Sequence, residues 1–356
     1  MKAALFYGGP DIRVEELPVP EPGPGEVLVR VRAAGICGSD LHGYRRARPP
    51  RPAPDAPREA RQSGHELAGV IAALGPGVTA LAVGQRVGIE PEHLIGCGEC
   101  AYCRRGDTHL CPARGLRHGE RHGSHGFSEY DVCVARNVHP LPDHVSDDAA
   151  AILDCYGCAV HAVRRAPITP YATVVVLGTG AIGMNVGQVA RASGARRVIM
   201  VGTRDQPLAI AREAGAADEG IANSRVDPVQ AVLDLTSGEG ADVVFETVGG
   251  EAPTLGQAVQ LARRGGTICI LGIFTAPQQV DVSTAYRKEL NILWSNSYST
   301  WNGISEYEIA LDLLASGRVR AEPLITHHYP LDRIGEAFAT AADKRTSGAI
   351  KVLVHP

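Results

Sequence analysis

The sequence predicts an α/β protein: a doubly wound parallel sheet joined to a second lobe rich in short strands and turns. Three observations carry this. The middle third alternates short apolar runs with helix-length stretches, the pattern of a parallel sheet covered on both faces. One of those apolar runs opens directly into a glycine fingerprint at 178–183. The chain before residue 155 reads instead as short strands punctuated by Gly and Pro.

A chain of 356 residues has the length for about two domains and at least one large core. Apolar residues make up 44% and charged residues 21%, and mean hydropathy is −0.04, ordinary globular values that argue against wholesale disorder. With 41 Gly and only 5% aromatics, a loop-rich α/β chain fits better than a helical bundle. The net charge of −4 gives no basic field, so a nucleic-acid partner has no electrostatic support. No uninterrupted apolar run approaches the ~18 residues of a membrane span. The N-terminal stretch 1–10 breaks too soon for a signal-peptide core, so the expected compartment is the cytoplasm.

In the first lobe, 27–33 reads as a strand with partial alternation, after a Pro/Gly segment at 18–25 that cannot be helical. Further strands are expected at 67–74 and 85–89, with turns at Gly75-Pro76-Gly77 and Val83-Gly84. Residues 45–61 hold six Arg and five Pro. They read as a solvated, extended surface loop, or as a lid that steers anions or contacts another subunit.

In the middle third, 173–177 is a buried strand and 181–193 a helix. A strand (197–201), helices (206–214 and around 228–236), a strand (242–246), a helix (253–262) and a strand (267–271) follow. The tail adds a strand at 290–294, helices at 305–315 and 334–342, and a last strand at 350–354.

The 173–177 strand runs straight into Gly178-Thr179-Gly180-Ala181-Ile182-Gly183, a G-x-G-x-x-G at a strand-to-helix junction. Gly178 makes the tight turn, Gly180 lets the backbone approach a pyrophosphate, and Gly183 lets helix and strand pack closely. Ala181 and Ile182 open the helix, whose N-terminal N–H groups favour phosphate. The motif therefore points to a bound dinucleotide. Thr247 and Leu271, at the carboxyl ends of two later strands, are expected to complete the cofactor site. Where a ribose-binding acid is expected, after the next strand, the chain has Gly202-Thr203-Arg204. Gly leaves room for a 2′-phosphate, Thr203 offers a hydrogen bond and Arg204 a positive charge, so NADP(H) is expected in preference to NAD(H). The competing reading has Arg204 solvated and Asp205 turned back to the ribose.

Nine cysteines are present, at 37, 97, 100, 103, 111, 133, 155, 158 and 269. Without a signal peptide, the crowding of four of them reads as metal binding before disulfides. Cys97, Cys100, Cys103 and Cys111 form C-x2-C-x2-C-x7-C, four thiolates suited to a closed tetrahedral Zn²⁺ that folds a loop and does no chemistry. An iron–sulfur cluster would use similar ligands, but nothing else in the sequence points to electron transfer.

A second constellation is dispersed. Gly35-Ile36-Cys37-Gly38-Ser39-Asp40-Leu41-His42 brings a thiol, a hydroxyl and an imidazole together, and Ser63-Gly64-His65-Glu66 adds an imidazole and a carboxylate. Taken singly, each also reads as a buried Cys, a core His or a surface Glu. With the four-Cys lobe, the 154–161 segment and the glycine fingerprint, all in one order along nearly the whole chain, these motifs resemble the zinc-dependent medium-chain dehydrogenase/reductase superfamily of alcohol, polyol and threonine dehydrogenases.

The resemblance implies a Rossmann domain at 156–296 and a discontinuous GroES-like catalytic domain at 1–155 and 297–356. It implies two Zn²⁺ per chain, one structural and one catalytic, the latter held by Cys37, His65 and a third ligand. Polyol- and threonine-dehydrogenase-like members carry an acid seven residues before a His, here Asp154 before His161; Cys155 is the competing ligand. Glu66 is similar to the family's acid that approaches zinc during exchange, and Ser39 and His42 match its proton relay. The activity implied is hydride transfer between NADP(H) and a secondary alcohol, polyol or amino alcohol, with zinc polarising the substrate oxygen. A homodimer or homotetramer is implied, with pairing through the 290–294 sheet edge.

Other features stay open in the sequence. Cys155-x-x-Cys158 reads as packing or as a redox pair. His118, His122 and His125 lie in an exposed loop or border the substrate cleft. The 294–301 stretch, with Trp294 and Trp301, suits cofactor, substrate or subunit contacts. The Arg/Pro insert departs from the family pattern and would suit a phosphorylated or acidic substrate. The rivals are a zinc-independent quinone or enoyl reductase of the same superfamily, and a non-enzymatic NADPH-binding protein.

Overall fold

The computed structural model describes residues 1–46, 60–117, 120–121 and 124–356. Most of the Arg/Pro insert, and His118 and His122, lie outside the described residues. Contacts divide the chain into two units, Met1–Asp154 with Ile325–Pro356, and Cys155–Leu324.

The first unit is built on the long strand Glu26–Gly35. It pairs antiparallel with Glu66–Leu74, Tyr130–Val134 and Lys351–His355, within a seven-stranded sheet. Its partly alternating pattern buries Val27, Val29 and Val31, which meet Ile71, Val87, Ile89 and Phe338 in one apolar core. Phe338, from the helix Ile334–Ala342, packs edge-to-face on Phe127 at 5.6 Å and on Phe6 at 5.3 Å. The register sets Gly35 opposite Glu66. Cys37 follows the first strand and His65 precedes the second, so both emerge at the same end of this strand pair.

The second unit is a six-stranded, all-parallel sheet. Numbered in chain order, its strands lie 3-2-1-4-5-6, the Rossmann order, with the switch point between Thr173–Leu177 and Ala241–Glu246. Val174, Val175, Val176 and Leu177 are all buried, as both faces of a covered parallel sheet require.

The structure differs from the sequence reading in definite places. The third sheet strand, Glu219–Ala222, was not expected: it is four residues long, holds a Gly, and buries only Ile221. The strand Ile325–Pro330 was also not expected, since Thr-His-His-Tyr-Pro carries little apolar signal. The sequence reading ends the sheet domain at 296, whereas residues 297–324 group with the second unit. There Tyr298 and Tyr307 are fully buried, and the Tyr298 ring lies against Gly157. Among the described residues no helix is long and apolar enough to cross a membrane.

Candidate active site and cofactor site

Cys37 is the N-cap of the helix Gly38–Arg45, and its N–H donates to Asp40 Oδ2 at 2.9 Å. Ser63 Oγ donates to Asp40 Oδ1 at 3.1 Å, and His65 Nδ1 lies 3.8 Å from the same oxygen. Asp40 thus ties Cys37 to His65. Its burial raises its pKa, against the opposing pull of His65 and the Cys37 N–H. Two glycines make the arrangement possible. Gly64 has φ +104°, and a Cβ there would meet Phe127 N at 2.7 Å. A Cβ on Gly35 would meet Glu66 Oε2 at 2.2 Å, so only Gly admits the carboxylate here.

Ligand atoms of Cys37, His65 and Glu66 all lie within 4.8 Å of one another. Asp154 is not in that set. It is buried in the first turn of the helix Leu153–Arg165 and bears on His65 through its charge. Burial opposes a charge on His65, but the Cys37 sulfur, Asp40 and Asp154 outweigh it and hold the imidazolium well above its ordinary pKa. The thiol, imidazole and carboxylates gathered around His65 have the donor chemistry for a cation with sulfur, nitrogen and oxygen ligands. The Cys37/His65/carboxylate set fits a catalytic zinc.

Glu66 is fully buried and receives two hydrogen bonds from Lys351 Nζ, at 2.8 and 2.7 Å. Lys351 also donates to Ile36 O at 3.2 Å. Sequence reasoning missed Asp40 and Lys351. Asp40 had a local signal, an acid three residues past a candidate helix N-cap. Lys351 had none. Ser39 and His42, three apart on Gly38–Arg45, share one helix face, Ser39 exposed and His42 half-buried. His125 is anchored: its N–H donates to the buried Asp131 Oδ2 at 2.8 Å, and its Nδ1 lies 3.4 Å from Oδ1.

The four-Cys lobe closes on itself. The Sγ atoms of Cys97, Cys100, Cys103 and Cys111 lie within 4.8 Å of one another. Cys100 and Cys103 sulfurs are 3.5 Å apart, and Cys97 and Cys103 sulfurs 4.0 Å. Four sulfurs at about 2.3 Å around a tetrahedral ion stand about 3.8 Å apart, so the geometry fits Zn²⁺. Backbone N–H groups of Cys97, Cys100 and Cys103 point at lobe sulfurs and favour thiolates. A Cβ on Gly96 would meet Cys103 Sγ at 2.5 Å. No disulfide forms among the described residues, so Cys155 and Cys158 are not joined.

In the second unit the fingerprint glycines divide by role. Gly178 has φ +114°, and a Cβ there would meet Thr247 Oγ1 at 2.5 Å. A Cβ on Gly183 would meet Gly178 O at 2.2 Å. A Cβ on Gly180 would meet no described residue beyond its own chain neighbours within 4 Å, so no such contact requires a glycine there. Gly180 is the N-cap of the helix Ala181–Ala192, and the clear space at its Cβ position leaves room for a group approaching the helix N-terminus. Thr247 Oγ1 donates to Leu177 O at 2.7 Å and so shapes the turn itself. Leu271 N–H donates to Glu246 O at 2.8 Å at the end of its strand. Thr203 is exposed and Arg204 is the N-cap of the helix Asp205–Glu213. Asp205 is ion-paired with Arg225.

His161 and Glu306 form a further buried group. Glu306 Oε2 lies 2.7 Å from His161 Nδ1 and accepts from Ser299 N–H at 2.7 Å, while Oε1 lies 2.7 Å from Arg164 Nε.

One unit with a Rossmann sheet and a glycine turn at its switch point, and another with a Cys/His/carboxylate cluster and a four-thiolate lobe, together define a zinc-type nicotinamide oxidoreductase. Residues 23–143 match the alcohol dehydrogenase GroES-like domain, and residues 181–316 the zinc-binding dehydrogenase family. The chain is 35% identical over 352 residues to a sorbitol dehydrogenase of Halalkalibacterium halodurans, covering 98% of this chain and 97% of that protein. It is 34% identical over 360 residues to an L-idonate 5-dehydrogenase of Vitis vinifera, covering 99% and 94%. Among solved structures, a putative zinc-binding dehydrogenase from Sinorhizobium meliloti 1021 bound to NADP superposes with a TM-score of 0.85 at 30% identity, covering 100% of this chain and 99% of that one. The chain belongs to the zinc-dependent medium-chain dehydrogenase/reductase superfamily and is an alcohol dehydrogenase that acts on a small molecule with zinc and a nicotinamide cofactor.

Proposed function

We propose that this chain is an NADP(H)-preferring dehydrogenase that interconverts a secondary alcohol, a polyol before an amino alcohol, with its ketone or aldehyde. The observation that carries the reading is the convergence of Cys37, His65 and Glu66 ligand atoms within 4.8 Å of one another. Cys37, His65 and Asp154 would hold the catalytic zinc, with Glu66 close enough to exchange with a ligand; the four-Cys lobe would hold the structural one. Bound there, zinc would supply the Lewis acidity that lowers the pKa of the substrate hydroxyl, and the nicotinamide would supply the hydride acceptor. Ser39 accepts the alcohol proton as it gives up its own hydroxyl proton, and His42 takes a proton on and releases it towards water, the positioned acid–base work that contributes roughly 10²–10⁴-fold in enzymes. Relatives named for sorbitol and L-idonate support a polyhydroxy substrate.

Gly178, Gly180, Ala181, Ile182 and Gly183 cradle the pyrophosphate, and Thr203 and Arg204 receive the 2′-phosphate, with Thr247 and Leu271 framing the switch point. Asp205 is already engaged by Arg225 rather than left to repel a phosphate, which favours NADP(H) over the ribose-binding role for Asp205. The homo-oligomer contact is placed at the edge strand Asn291–Trp294, which pairs on one side only and exposes Trp294.

Initial rates across a polyol, secondary-alcohol and amino-alcohol panel with each cofactor test this. kcat/KM is expected to be higher with NADP⁺. Arg204→Ala should lower the NADP⁺ value at least ~10-fold, as loss of a charge-assisted bond does, and leave the NAD⁺ value unchanged. Equal or better use of NAD⁺ by the unmodified enzyme would reject the cofactor assignment.

A further inference from the structure

We propose that Asp148, His328 and His355 form an additional divalent-cation site in the first unit, separate from the Cys37 pocket and the four-Cys lobe, and that it takes Zn²⁺. The three residues come from distant parts of the sequence. Asp148 lies in the first turn of the helix Asp147–Ala151, which is capped by Ser146 Oγ and fixed through Asp147 to Arg86 at 2.8 Å. His328 and His355 lie on the parallel strands Ile325–Pro330 and Lys351–His355. The register pairs His328 with Leu353 and Pro330 with His355, so the two imidazoles are diagonal neighbours on one sheet face.

Ligand atoms of all three lie within 4.8 Å of one another. His328 Nδ1 and His355 Nε2 are 3.1 Å apart, and the rings stack at 5.3 Å. Asp148 Oδ2 lies 3.6 Å from His328 Nδ1, and Oδ1 3.7 Å from His355 Nε2, too long for hydrogen bonds. The tautomer of His355 is set from outside the cluster. Its Nδ1 is 3.0 Å from Arg32 O, a carbonyl that can only accept, so Nδ1 carries the proton and Nε2 turns a lone pair inward. That outward bond to a backbone carbonyl is the usual support of a metal-bound histidine.

Two donors bound at about 2.1 Å to one ion stand about 3.0 Å apart in octahedral and 3.4 Å apart in tetrahedral geometry. The 3.1 Å nitrogen pair fits as it is, and Asp148 needs to move by only a few tenths of an ångström. Two imidazoles and one carboxylate select a borderline divalent ion over Ca²⁺ or Mg²⁺. Side-chain exposures of 34% for Asp148, 49% for His328 and 35% for His355 leave positions open to water.

The test uses the zinc-loaded enzyme, dialysed against metal-free buffer and titrated with ZnCl₂ by calorimetry. One further equivalent is expected. His328→Gln and His355→Gln should each weaken it at least ~10-fold, with kcat and the melting temperature before zinc addition unchanged. In parallel, long-range ¹H–¹⁵N spectra should show zinc shifting His328 Nδ1 and His355 Nε2 in the unmodified protein. No further equivalent, an equivalent undiminished in both variants, or zinc-induced shifts confined to other histidines would overturn the proposal.

Discussion

Lys351 and Glu66 form a closed ion pair in the interior, the ammonium 2.8 and 2.7 Å from the two carboxylate oxygens, although 285 residues separate them in the chain. The pair sits at the join of three sheet strands. Gly35 supplies the gap for the carboxylate, and the Ile36 carbonyl takes a further Lys351 proton. Glu66 is thereby held within 4.8 Å of the Cys37 and His65 ligand atoms as an anion. Removing the lysine alone strands a buried charge. Lys351→Met is expected to destabilise by ~3–5 kcal/mol, read by urea denaturation. The double variant Lys351→Met/Glu66→Gln should recover much of that loss. Strictly additive losses would show that the two groups do not depend on each other.

The fingerprint glycines separate packing from ligand binding. Gly180→Ala meets no protein atom and has an ordinary φ of −84°, so the melting temperature should hold or rise slightly. Its methyl group fills the phosphate cradle, so cofactor Kd, read by fluorescence titration, should rise at least ~10-fold, a cost of about 1.4 kcal/mol. Gly183→Ala drives a Cβ to 2.2 Å from Gly178 O and should lower the melting temperature. If both variants behaved alike, the division of roles would be wrong.

Asp40 links the Cys37 helix cap to His65 without belonging to the candidate ligand set. Asp40→Asn keeps an oxygen for the Cys37 N–H and removes the charge 3.8 Å from His65. Zinc affinity at the Cys37 site is expected to fall ~10–100-fold, as when outer partners of metal ligands are changed. Competition with a chelator of known affinity reads this directly, and an unchanged affinity would make Asp40 a helix-capping residue only.

Glu306 anchors residues 299–306 to the helix Leu153–Arg165 through His161 and Arg164. Glu306→Gln preserves shape but leaves the Arg164 guanidinium without its anion. A loss of ~3–5 kcal/mol is expected by denaturant unfolding. A loss below about 1 kcal/mol, the range of exposed pairs, would show that Arg164 turns to solvent instead.

What the sequence disclosed follows the range of the interactions. The glycine turn was legible because strand, glycines and helix are contiguous, and Gly178 and Gly183 each have a local steric reason. The four-Cys lobe was legible because its spacing alone brings the sulfurs together. Cys37 and His65 were named from their motifs, but their meeting is set by the Gly35–Glu66 register between strands far apart in the chain. Lys351 could not be read from sequence: a lysine opening the strand Lys351–His355 looks like a solvated strand end until its partner is known. The edge strand Glu219–Ala222 escaped for a related reason, since one neighbour and one buried residue leave little apolar pattern.

The central claim is that Cys37, His65 and a carboxylate hold a catalytic zinc. A crystal structure of the zinc-loaded enzyme soaked with NADP⁺, with anomalous data at the zinc edge, tests it most directly. The expected result is anomalous density at the Cys37/His65 site and in the four-Cys lobe. The first peak should be ligated by Asp154, with Glu66 in reach, and Arg204 should contact the 2′-phosphate. Density in the four-Cys lobe and none at Cys37 would contradict the claim, leave Ser39 and His42 without a proton to relay, and turn the assignment to a metal-independent reductase.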